Sequence, residues 1–221
     1  EFLKFVRFAH QNGIDAVLIQ DLGMYDLVHQ KFPDLEIHAS TQMHIHNLEG
    51  ALVAKKLGFK RIVLARETDI DTIKEIKEKT GLDVEVFVHG SLCVSYSGQC
   101  LFSSLVGGRS GNRGACAGSC RLPYDIVDKN NEVLNDTKKY PLSMKDLCAI
   151  ASIGKLMDIG VNSFKIEGRM KSKEYVYLVT KLYRKAIDSY LDNKKVTIDY
   201  EILDKLKKVF NREYTLGFLN N

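Results

Sequence analysis

Residues 61–90 read RIVLARETDIDTIKEIKEKTGLDVEVFVHG and carry the pattern that most directly predicts the fold class. Two apolar runs rich in β-branched residues, RIVLAR (61–66) and DVEVFVHG (83–90), flank a segment with helical spacing at 69–80. One face of that segment holds Ile70, Ile73 and Ile76. Thr68 or Asp69 can cap its start, and Gly81 follows its end. Short apolar runs that alternate with helices are typical of buried parallel strands, so this stretch predicts a βα unit.

The same theme recurs on both sides of this stretch. Apolar runs stand at 15–20 (DAVLIQ), 36–40 (EIHAS) and 162–168 (NSFKIEG), and a helical pattern covers 47–57. We therefore predict five parallel strands with their helices and a fold of the α/β class. A TIM-like (β/α)8 barrel needs eight strands, so we expect a barrel fragment that lacks the first three. An open doubly wound sheet is the alternative, although no G-x-G-x-x-G follows any of the runs.

The bulk composition is that of a globular protein. The 221 residues are 45% apolar and 27% charged, and no run approaches the ~20 apolar residues of a membrane span. The opening EFLKFVRFAH reads as a helix with no cap before it, so we expect the chain to start inside a larger protein. We predict the later part of a barrel at 1–170, with a cysteine-rich insertion at 91–140, and a helical extension at 171–221. An apolar stripe along the extension comprises Val176, Val179, Tyr183, Ile187 and Tyr190.

Charge and cysteine number restrict the setting. A net charge of +4 permits contact with RNA without demanding it, and the mixed-sign run at 171–208 favours a solvated helix surface. Five cysteines, an odd number, together with no secretory signal argue against a disulfide framework. These features predict a cytoplasmic protein with no membrane partner.

The rhythm of strands and helices breaks in a glycine-rich stretch after residue 90. The cysteines follow the spacing Cys93-x6-Cys100-x15-Cys116-x3-Cys120, with Cys148 further along. Thiolates bind iron–sulfur clusters and structural zinc, but only Cys116 and Cys120 have the close spacing typical of zinc sites. We also predict a helix over 143–160, with Ser143 and Asp146 as a capping box that places Cys148 in its first turns.

Two other interpretations of these cysteines stay open at this point. Free cysteines are often buried as small apolar side chains, although five around one irregular loop make that less favourable. Cys93 could instead be a nucleophile activated by His89, four residues earlier.

Residues that follow barrel strands are candidates for function, because strand ends meet on one face. We expect His89, Glu67 and Glu167 to move protons, and Arg66, Arg169 and Gln42 to bind substrate. The alternative for this set is a structural strand-end ion pair such as Arg66 with Glu167. The His44-x-His46 pair could bind a metal but has no clear partners. The remaining strand-end candidates are Gln20, Asp21 and Ser40.

Several long motifs resemble the collagenase-like peptidase family U32. They are QDLGMYDLVHQKFPDLEIHASTQMHIHN (20–47), FVHGSLCVSYSGQC (87–100), GRSGNRGACAGSCR (108–121), LSMKDLC (142–148) and FKIEGRM (164–170). FNREYTLGFL (210–219) is similar to a further family segment, with Glu213 where the family has glycine. The resemblance covers nearly the whole chain.

The resemblance implies a fold, a cofactor and a reaction. The family's catalytic domain is barrel-like, with three strands before the point that matches Glu1. Its better understood members are oxygen-independent hydroxylases of tRNA, ribosomal RNA or ubiquinone precursors, and the RNA enzymes use prephenate. They hold a [4Fe–4S] cluster on cysteines that match Cys93, Cys100, Cys116 and Cys148, with Cys120 as an alternative ligand.

We therefore expect an enzyme that hydroxylates an RNA base, in the tRNA branch of the family. The two carboxylates of prephenate suit Arg66 and Arg169. A peptidase is the first alternative, although the sequence has no G-x-S-x-G and no H-E-x-x-H. The second is a non-catalytic subunit that holds a cluster for a related partner.

Overall fold

The computed structural model describes residues 1–135 and 139–220. Its helices are α1 Phe2–Gln11, α2 Leu22–Lys31, α3 Leu48–Leu57, α4 Ile70–Thr80, α5 Phe102–Gly107, α6 Ile153–Ile159, α7 Lys173–Asn193 and α8 Tyr200–Val209. Its strands are β1 Ala16–Ile19, β2 Glu36–Ala39, β3 Arg61–Val63, β4 Asp83–Ser91, β5 Asp146–Cys148, β6 Ser163–Ile166 and β7 Tyr214–Thr215. Short 3-10 turns cover Thr41–Met43, Gly111–Arg113, Ser119–Arg121 and Ile150–Ser152.

The strands form one mixed sheet in which parallel pairs dominate. β1, β2, β3 and β4 are parallel neighbours in chain order, and β4 also pairs in parallel with β6. These are the five strands that the sequence predicts, so the α/β class is confirmed. Among the described residues β1 pairs with β2 alone, and the sheet does not close. The barrel part of the prediction is therefore not confirmed.

Local sequence signals set the ends of the helices. The side chains of Asp21, Asn47 and Asp69 accept hydrogen bonds from the first turns of α2, α3 and α4 at 2.9, 3.0 and 2.8 Å. These bonds satisfy amides that a helix leaves unpaired at its start. Gly58 and Gly81 end α3 and α4 in the left-handed conformation, with φ of 101° and 67°. Both helices therefore return the chain to the next strand at the predicted place.

The predicted helix over 143–160 is wrong in its first half. Residues Asp146–Cys148 form strand β5, antiparallel to β4 and parallel to β7, and helix α6 begins only at Ile153. The Asp146 side chain is buried against Arg212, with Oδ1 2.7 Å from Nη2, and does not cap a helix. Pairing with β4 and β7, both distant in sequence, overrides the local capping pattern. Cys148 therefore lies in a strand.

One continuous apolar core joins the sheet to the helices. It includes Ile62, Val84 and Leu156, and also Val179 of α7 and Leu206 of α8. The stripe predicted along the extension is buried at Val179, Tyr183 and Tyr190, whereas Val176 is exposed. The division into 1–170 and 171–221 stays a prediction. No helix of the described residues has both the length and the apolar character to cross a membrane.

A cysteine-lined cleft at the strand ends

A cleft of about 990 Å³ opens where the carboxyl ends of the parallel strands meet. Its wall includes residues that follow β1, β2, β3 and β6, namely Gln20, Ser40, Gln42, Arg66, Glu167 and Arg169. The thiol-bearing residues Cys93, Cys100, Cys116 and Cys120 line the same cleft. The structure thus brings together four of the five cysteines and most of the strand-end residues that the sequence predicts. Cys148, His89 and Glu67 do not lie on the cleft wall.

Close backbone contacts hold the first part of the cysteine loop. Gly98, midway between β4 and α5, has φ of 77° and lies directly against the backbone of Gln42. A Cβ atom at position 98 would overlap the Gln42 carbonyl group, so only glycine fits. The Asn112 side chain donates a hydrogen bond to the Gly98 carbonyl at 2.7 Å. These contacts fix Cys100 relative to the loop that follows β2.

Glu67 acts as an anchor for the same loop. Its two carboxylate oxygens accept hydrogen bonds from the backbone amide of Ser97 at 2.8 Å and from the Ser97 hydroxyl at 3.0 Å. His44 Nε2 lies 3.0 Å from Glu67 Oε1. Because both oxygens point to Ser97 and His44, the carboxylate is turned away from the cleft. Its predicted role in proton transfer stays a prediction.

Arg66 and Glu167 form the ion pair that the sequence raised as an alternative. Arg66 Nη2 lies 2.9 Å from Glu167 Oε2, and the guanidinium lies 4.0 Å from the centre of the Phe87 ring. Both residues line the cleft, so this pair forms part of its wall. Arg169, also on the wall, donates to the Gly114 carbonyl at 2.8 Å. Their predicted contact with a substrate carboxylate stays a prediction.

His89 is turned to the opposite side of the sheet from the cleft. The pairing of β4 with β6 shifts register between Phe87 and His89, and after this bulge the His89 ring faces helix α7. His89 Nδ1 lies 3.2 Å from the Tyr183 hydroxyl, and the residue is 1% exposed. Burial lowers the pKa of His89 to about 4, so the ring is neutral near pH 7. The structure does not bring His89 to the Cys93 thiol.

The cysteines differ in their surroundings. Cys93 and Cys116 are exposed, whereas Cys100, Cys120 and Cys148 are partly buried. Burial raises the pKa of the Cys120 thiol, which also lies close to the thiols of Cys93 and Cys116. Burial likewise raises the pKa of Cys148, whose thiol contacts Tyr183 behind the cleft wall. The thiols of Cys93 and Cys116 are therefore near enough to Cys120 to raise its pKa through their charge.

This donor set suits a cluster better than a single metal ion. In the part of the chain that the structure describes, no three His, Cys, Asp or Glu side chains gather closely enough to bind one ion. In a cubane each thiolate binds a different iron, so its ligands are spread around a volume instead of a point. The four thiols that line the cleft are the side chains that would hold such a cluster. The amide of Gly118 also donates to Cys116 Sγ at 3.3 Å, as amides around cluster thiolates do.

Sequence reasoning missed the basic wall of the cleft. Arg121, Lys171 and Arg212 line it together with Lys165. A signal was present in the motifs themselves, because Arg121 directly follows Cys120, Lys171 follows FKIEGRM, and Arg212 lies in FNRE. The motifs do not indicate that these residues meet in one place. Arg212 reaches the cleft through the pairing of β7 with β5.

The family model described as Peptidase family U32 matches residues 1–221. This chain belongs to peptidase family U32. It is 41% identical over 224 residues to the 23S rRNA 5-hydroxycytidine C2501 synthase of Escherichia coli K12, covering 98% of this chain and 34% of that protein. It is 38% identical to tRNA hydroxylation protein P1 of Bacillus subtilis 168, covering 99% of this chain and 52% of the relative.

A third relative is named as a collagenase and not for RNA hydroxylation. A protein named Collagenase from Porphyromonas gingivalis W83 is 35% identical to this chain, covering 95% of the chain and 53% of the relative. The chain thus spans about a third to a half of the length of these U32 relatives. The resemblance that the sequence motifs indicated is confirmed at the level of the family.

Proposed function

We propose that the cleft is the active site of an enzyme that hydroxylates a base of RNA, in tRNA. The observation that supports the proposal most is the grouping of four cysteines and several strand-end residues around one cleft of about 990 Å³. Relatives at 38–41% identity are named for hydroxylation of tRNA and 23S rRNA. A cleft of this volume is within the range of sites that accept a nucleotide-sized group. We therefore propose RNA as the partner and the cytoplasm as the place where the protein binds it.

The proposed cofactor is a [4Fe–4S] cluster on four cysteine thiolates. Cys93, Cys100 and Cys116 belong to both candidate ligand sets, and the fourth ligand is Cys148 by motif or Cys120 by its place on the cleft wall. A cluster there would supply one-electron transfer or activation of an oxygen donor, for which prephenate is the proposed co-substrate. Cys148 is paired with His89 across β4 and β5, and its thiol lies behind the cleft wall, so Cys120 is the candidate fourth ligand that already lies on the cleft.

The chain's own residues would bind and orient the reactants. Arg66 and Glu167 stand on the wall as a pair, so a substrate carboxylate that binds Arg66 would free the Glu167 carboxylate to accept a proton. Arg169 and Gln42 lie at the edges of the loop and can donate to the RNA or the co-substrate. His89 would act from behind the wall, by keeping the end of β4 in place through Tyr183.

In the complete protein, we infer that the sheet continues beyond β1 and closes into a (β/α)8 barrel. Leu18 of β1 and Phe5 and Phe8 of α1 are exposed apolar side chains along this edge. Covering them would remove an open strand edge, which is a known cause of aggregation. A sharp cooperative melt of a monomeric 221-residue chain would contradict this part.

Iron and acid-labile sulfide content of the full-length protein, purified without oxygen, tests the cofactor. We expect roughly four iron and four sulfide per chain, as a cubane requires. Cys93→Ala and Cys100→Ala should each lose most of the iron. Comparison of the iron content of Cys148→Ala and Cys120→Ala identifies the fourth ligand. By motif, we expect Cys148→Ala to lose iron and Cys120→Ala to keep it, and the reverse result would assign Cys120. Full iron in all four variants would refute the ligand set.

Hydroxylation itself is measured on RNA. Total tRNA and rRNA from cells that lack the protein, and from cells that carry it or its Cys93→Ala variant, would be digested to nucleosides and analysed by mass spectrometry. We expect one hydroxylated nucleoside that appears only with the unaltered protein. Identical nucleosides in all three samples would contradict the proposal.

A peptidase is the alternative that the relative named Collagenase favours. Among the described residues, Ser97 and His44 both contact Glu67, so the carboxylate stands between them, unlike the nucleophile–histidine–acid order of a catalytic triad. Ser97 is also buried, at 2% exposed. Proteolysis by cluster-free protein, abolished by one substitution at a nucleophile, would establish this alternative.

The second alternative is a non-catalytic subunit that holds a cluster for a related partner. Hydroxylation that occurs only when a second, related subunit is present would indicate this role for the chain.

A further inference from the structure

Three basic side chains, Lys171, Arg212 and Arg121, line the cleft, and the first two lie over the Phe210 ring. Lys171 Nζ lies 2.9 Å from the ring centre, and the Arg212 guanidinium carbon lies 5.0 Å from it. Burial, and then the charges of Arg212 and Arg121, hold the pKa of Lys171 below its usual value. Burial and then Arg212 likewise lower the pKa of Arg121. The three cations are therefore close together and partly removed from water.

Carboxylates do not balance this group. Arg212 is paired with the buried Asp146 at 2.7 Å. Among the described residues, Arg121 donates only to neutral acceptors, the Ser143 hydroxyl at 2.8 Å and the carbonyls of Met144 and Leu92, each at 2.6 Å. Lys171 makes no ion pair in residues 1–135 and 139–220, and Glu167, the acid on the same wall, is paired with Arg66. A partly buried group with two uncompensated cations favours the binding of an anion.

Neutralising the negative charge of cysteine thiolates would explain the presence of only one of these three cations, Arg121. Arg121 lies close to Cys120 and Cys93 and can stabilise their thiolates. The groups that act most strongly on Lys171 are Arg212, Asp146, Arg121 and Glu167, none of which is a cysteine. Helix α7 begins at Lys173, two residues later, and its amino terminus adds positive potential on the same side. Of the three cations, Lys171 is therefore the one whose charge is not explained by a nearby cysteine thiolate.

We propose that Lys171, Arg121 and Arg212 form a subsite that binds an oxyanion, the carboxylate or phosphate group of a ligand, next to the cysteine-lined part of the cleft. This proposal deepens the proposed function and rests on the cleft being the reaction site. It differs from the pair Arg66 and Arg169, which the sequence favoured for carboxylate binding. Lys171 supplies the free charge, Arg121 lies between the subsite and the cysteines, and Asp146 holds Arg212 in place.

Binding of small oxyanions by the purified full-length protein tests the subsite directly. Titration calorimetry with malonate and with inorganic phosphate, in the absence of RNA and at constant ionic strength, should show saturable binding. Lys171→Met keeps the aliphatic chain over Phe210 but removes the charge, and should weaken malonate binding about tenfold or more, the effect of losing one charged hydrogen bond. Lys171→Arg should restore binding to within about threefold.

A matched control is available two residues away. Lys173 is exposed at the start of α7 and does not line the cleft, so Lys173→Met should bind malonate as the unaltered protein does. Equal binding by Lys171→Met and the unaltered protein would overturn the proposal. So would the absence of saturable binding of both malonate and phosphate to the unaltered protein.

Two further measurements identify the source of the oxyanion and separate this proposal from the proposed function. Competition between malonate and a short single-stranded RNA oligonucleotide would show that an RNA phosphate occupies the subsite. Simultaneous binding of both would show that a free carboxylate occupies it. Cys93→Ala, in which the proposed hydroxylation fails, should still bind malonate. Loss of hydroxylation and loss of oxyanion binding are thus distinguishable.

Discussion

The βα segment at 14–90 and the cysteine loop at 91–145 are held in place by different interactions. The βα segment buries a series of apolar side chains, among them Ile62 and Val84, both 0% exposed. Of the described residues of the loop, only Leu92, Ser97 and Ser103 are buried. The loop is instead tied to the rest of the molecule by polar contacts, chiefly those of Glu67, Arg121 and Arg169.

This difference separates stability from site geometry. Apolar burial provides most of the free energy of folding, and it lies mainly in the βα segment and the later helices and not in the loop. The cysteines lie on backbone that a few hydrogen bonds position, each with a small net contribution. We therefore expect substitutions at buried apolar positions of the βα segment to lower the free energy of unfolding. Substitutions at the loop contacts should disturb the cysteines while the core stays folded.

The largest effect is expected from Ile62→Ala in the centre of β3. Ile62 is fully buried, and removing its side chain leaves a cavity, so the free energy of unfolding should fall by about 3–4 kcal/mol. Urea denaturation followed by circular dichroism measures this change. Leu52→Ala on α3, where the side chain is 43% exposed, is the control and should cost less than about 1 kcal/mol. Equal losses in both variants would remove the basis of the comparison.

The βα segment is also the part that the sequence predicts well. Periodicity places β1 to β4 and β6, and Asp69, one of the two predicted caps, marks the start of α4 in the structure. These signals work because each element is decided by residues within one turn or one strand. Closure of the sheet depends on strand pairing beyond this local range, and the open sheet of the described residues does not confirm it.

Gly98→Ala should give the next largest effect, confined to the cysteine loop. Gly98 and Gly108 both have positive φ, of 77° and 63°, so alanine at either position adds about 1 kcal/mol of backbone strain. Only at position 98 would the new Cβ atom meet another backbone, that of Gln42, which adds about 1–3 kcal/mol more.

Iron content and limited proteolysis distinguish these two glycine variants. We expect Gly98→Ala to lose most of its iron and to be cut faster between Cys93 and Cys116. Gly108→Ala, with no atom within 4 Å of its new Cβ, should keep its iron and its resistance. Retention of full iron by Gly98→Ala would show that the loop contacts do not position the cysteines.

The loop is where sequence reasoning fell short, and the reason is physical. The spacing of its cysteines indicates a thiolate site, but the contacts that shape the loop join residues 14 to 55 positions apart, such as Asn112 with Gly98 and Arg169 with Gly114. The same holds for β5, whose neighbours β4 and β7 are distant in sequence. Local patterns carry no information about such pairings, so Asp146 reads as a helix cap and is instead a buried partner of Arg212.

A change of pH should affect the scaffold through His89. Burial lowers the pKa of His89 to about 4, below its value in the unfolded chain. As the pH falls from about 6.5 to about 4, the unfolded state therefore binds a proton that the folded state does not, and stability is lost. The expected loss between pH 7 and pH 5 is about 2 kcal/mol.

Denaturation at the two pH values, with and without the histidine, isolates this contribution. His89→Gln should flatten the pH dependence by about that amount, whereas His29→Gln, at an exposed position of α2, should leave it unchanged. An unchanged slope in His89→Gln would show that another group causes the acid sensitivity.

The smallest effect is expected from Ser97→Ala, which also sharpens the assignment of Glu67. The substitution removes the hydroxyl bond to Glu67 Oε2 and the bond that the Arg66 backbone amide donates to Ser97 Oγ at 3.1 Å, but keeps the amide bond to Glu67 Oε1, at a cost of about 1–2 kcal/mol. Amides of residues 93–100 should then exchange with solvent about fivefold faster, whereas Ser104→Ala, exposed in the same loop, should leave them unchanged. If Glu67 only anchors the loop, Glu67→Gln will lower turnover per iron no more than Ser97→Ala does. If Glu67 moves a proton in the reaction, Glu67→Gln will lower turnover per iron far more than Ser97→Ala does, because only that variant removes the base.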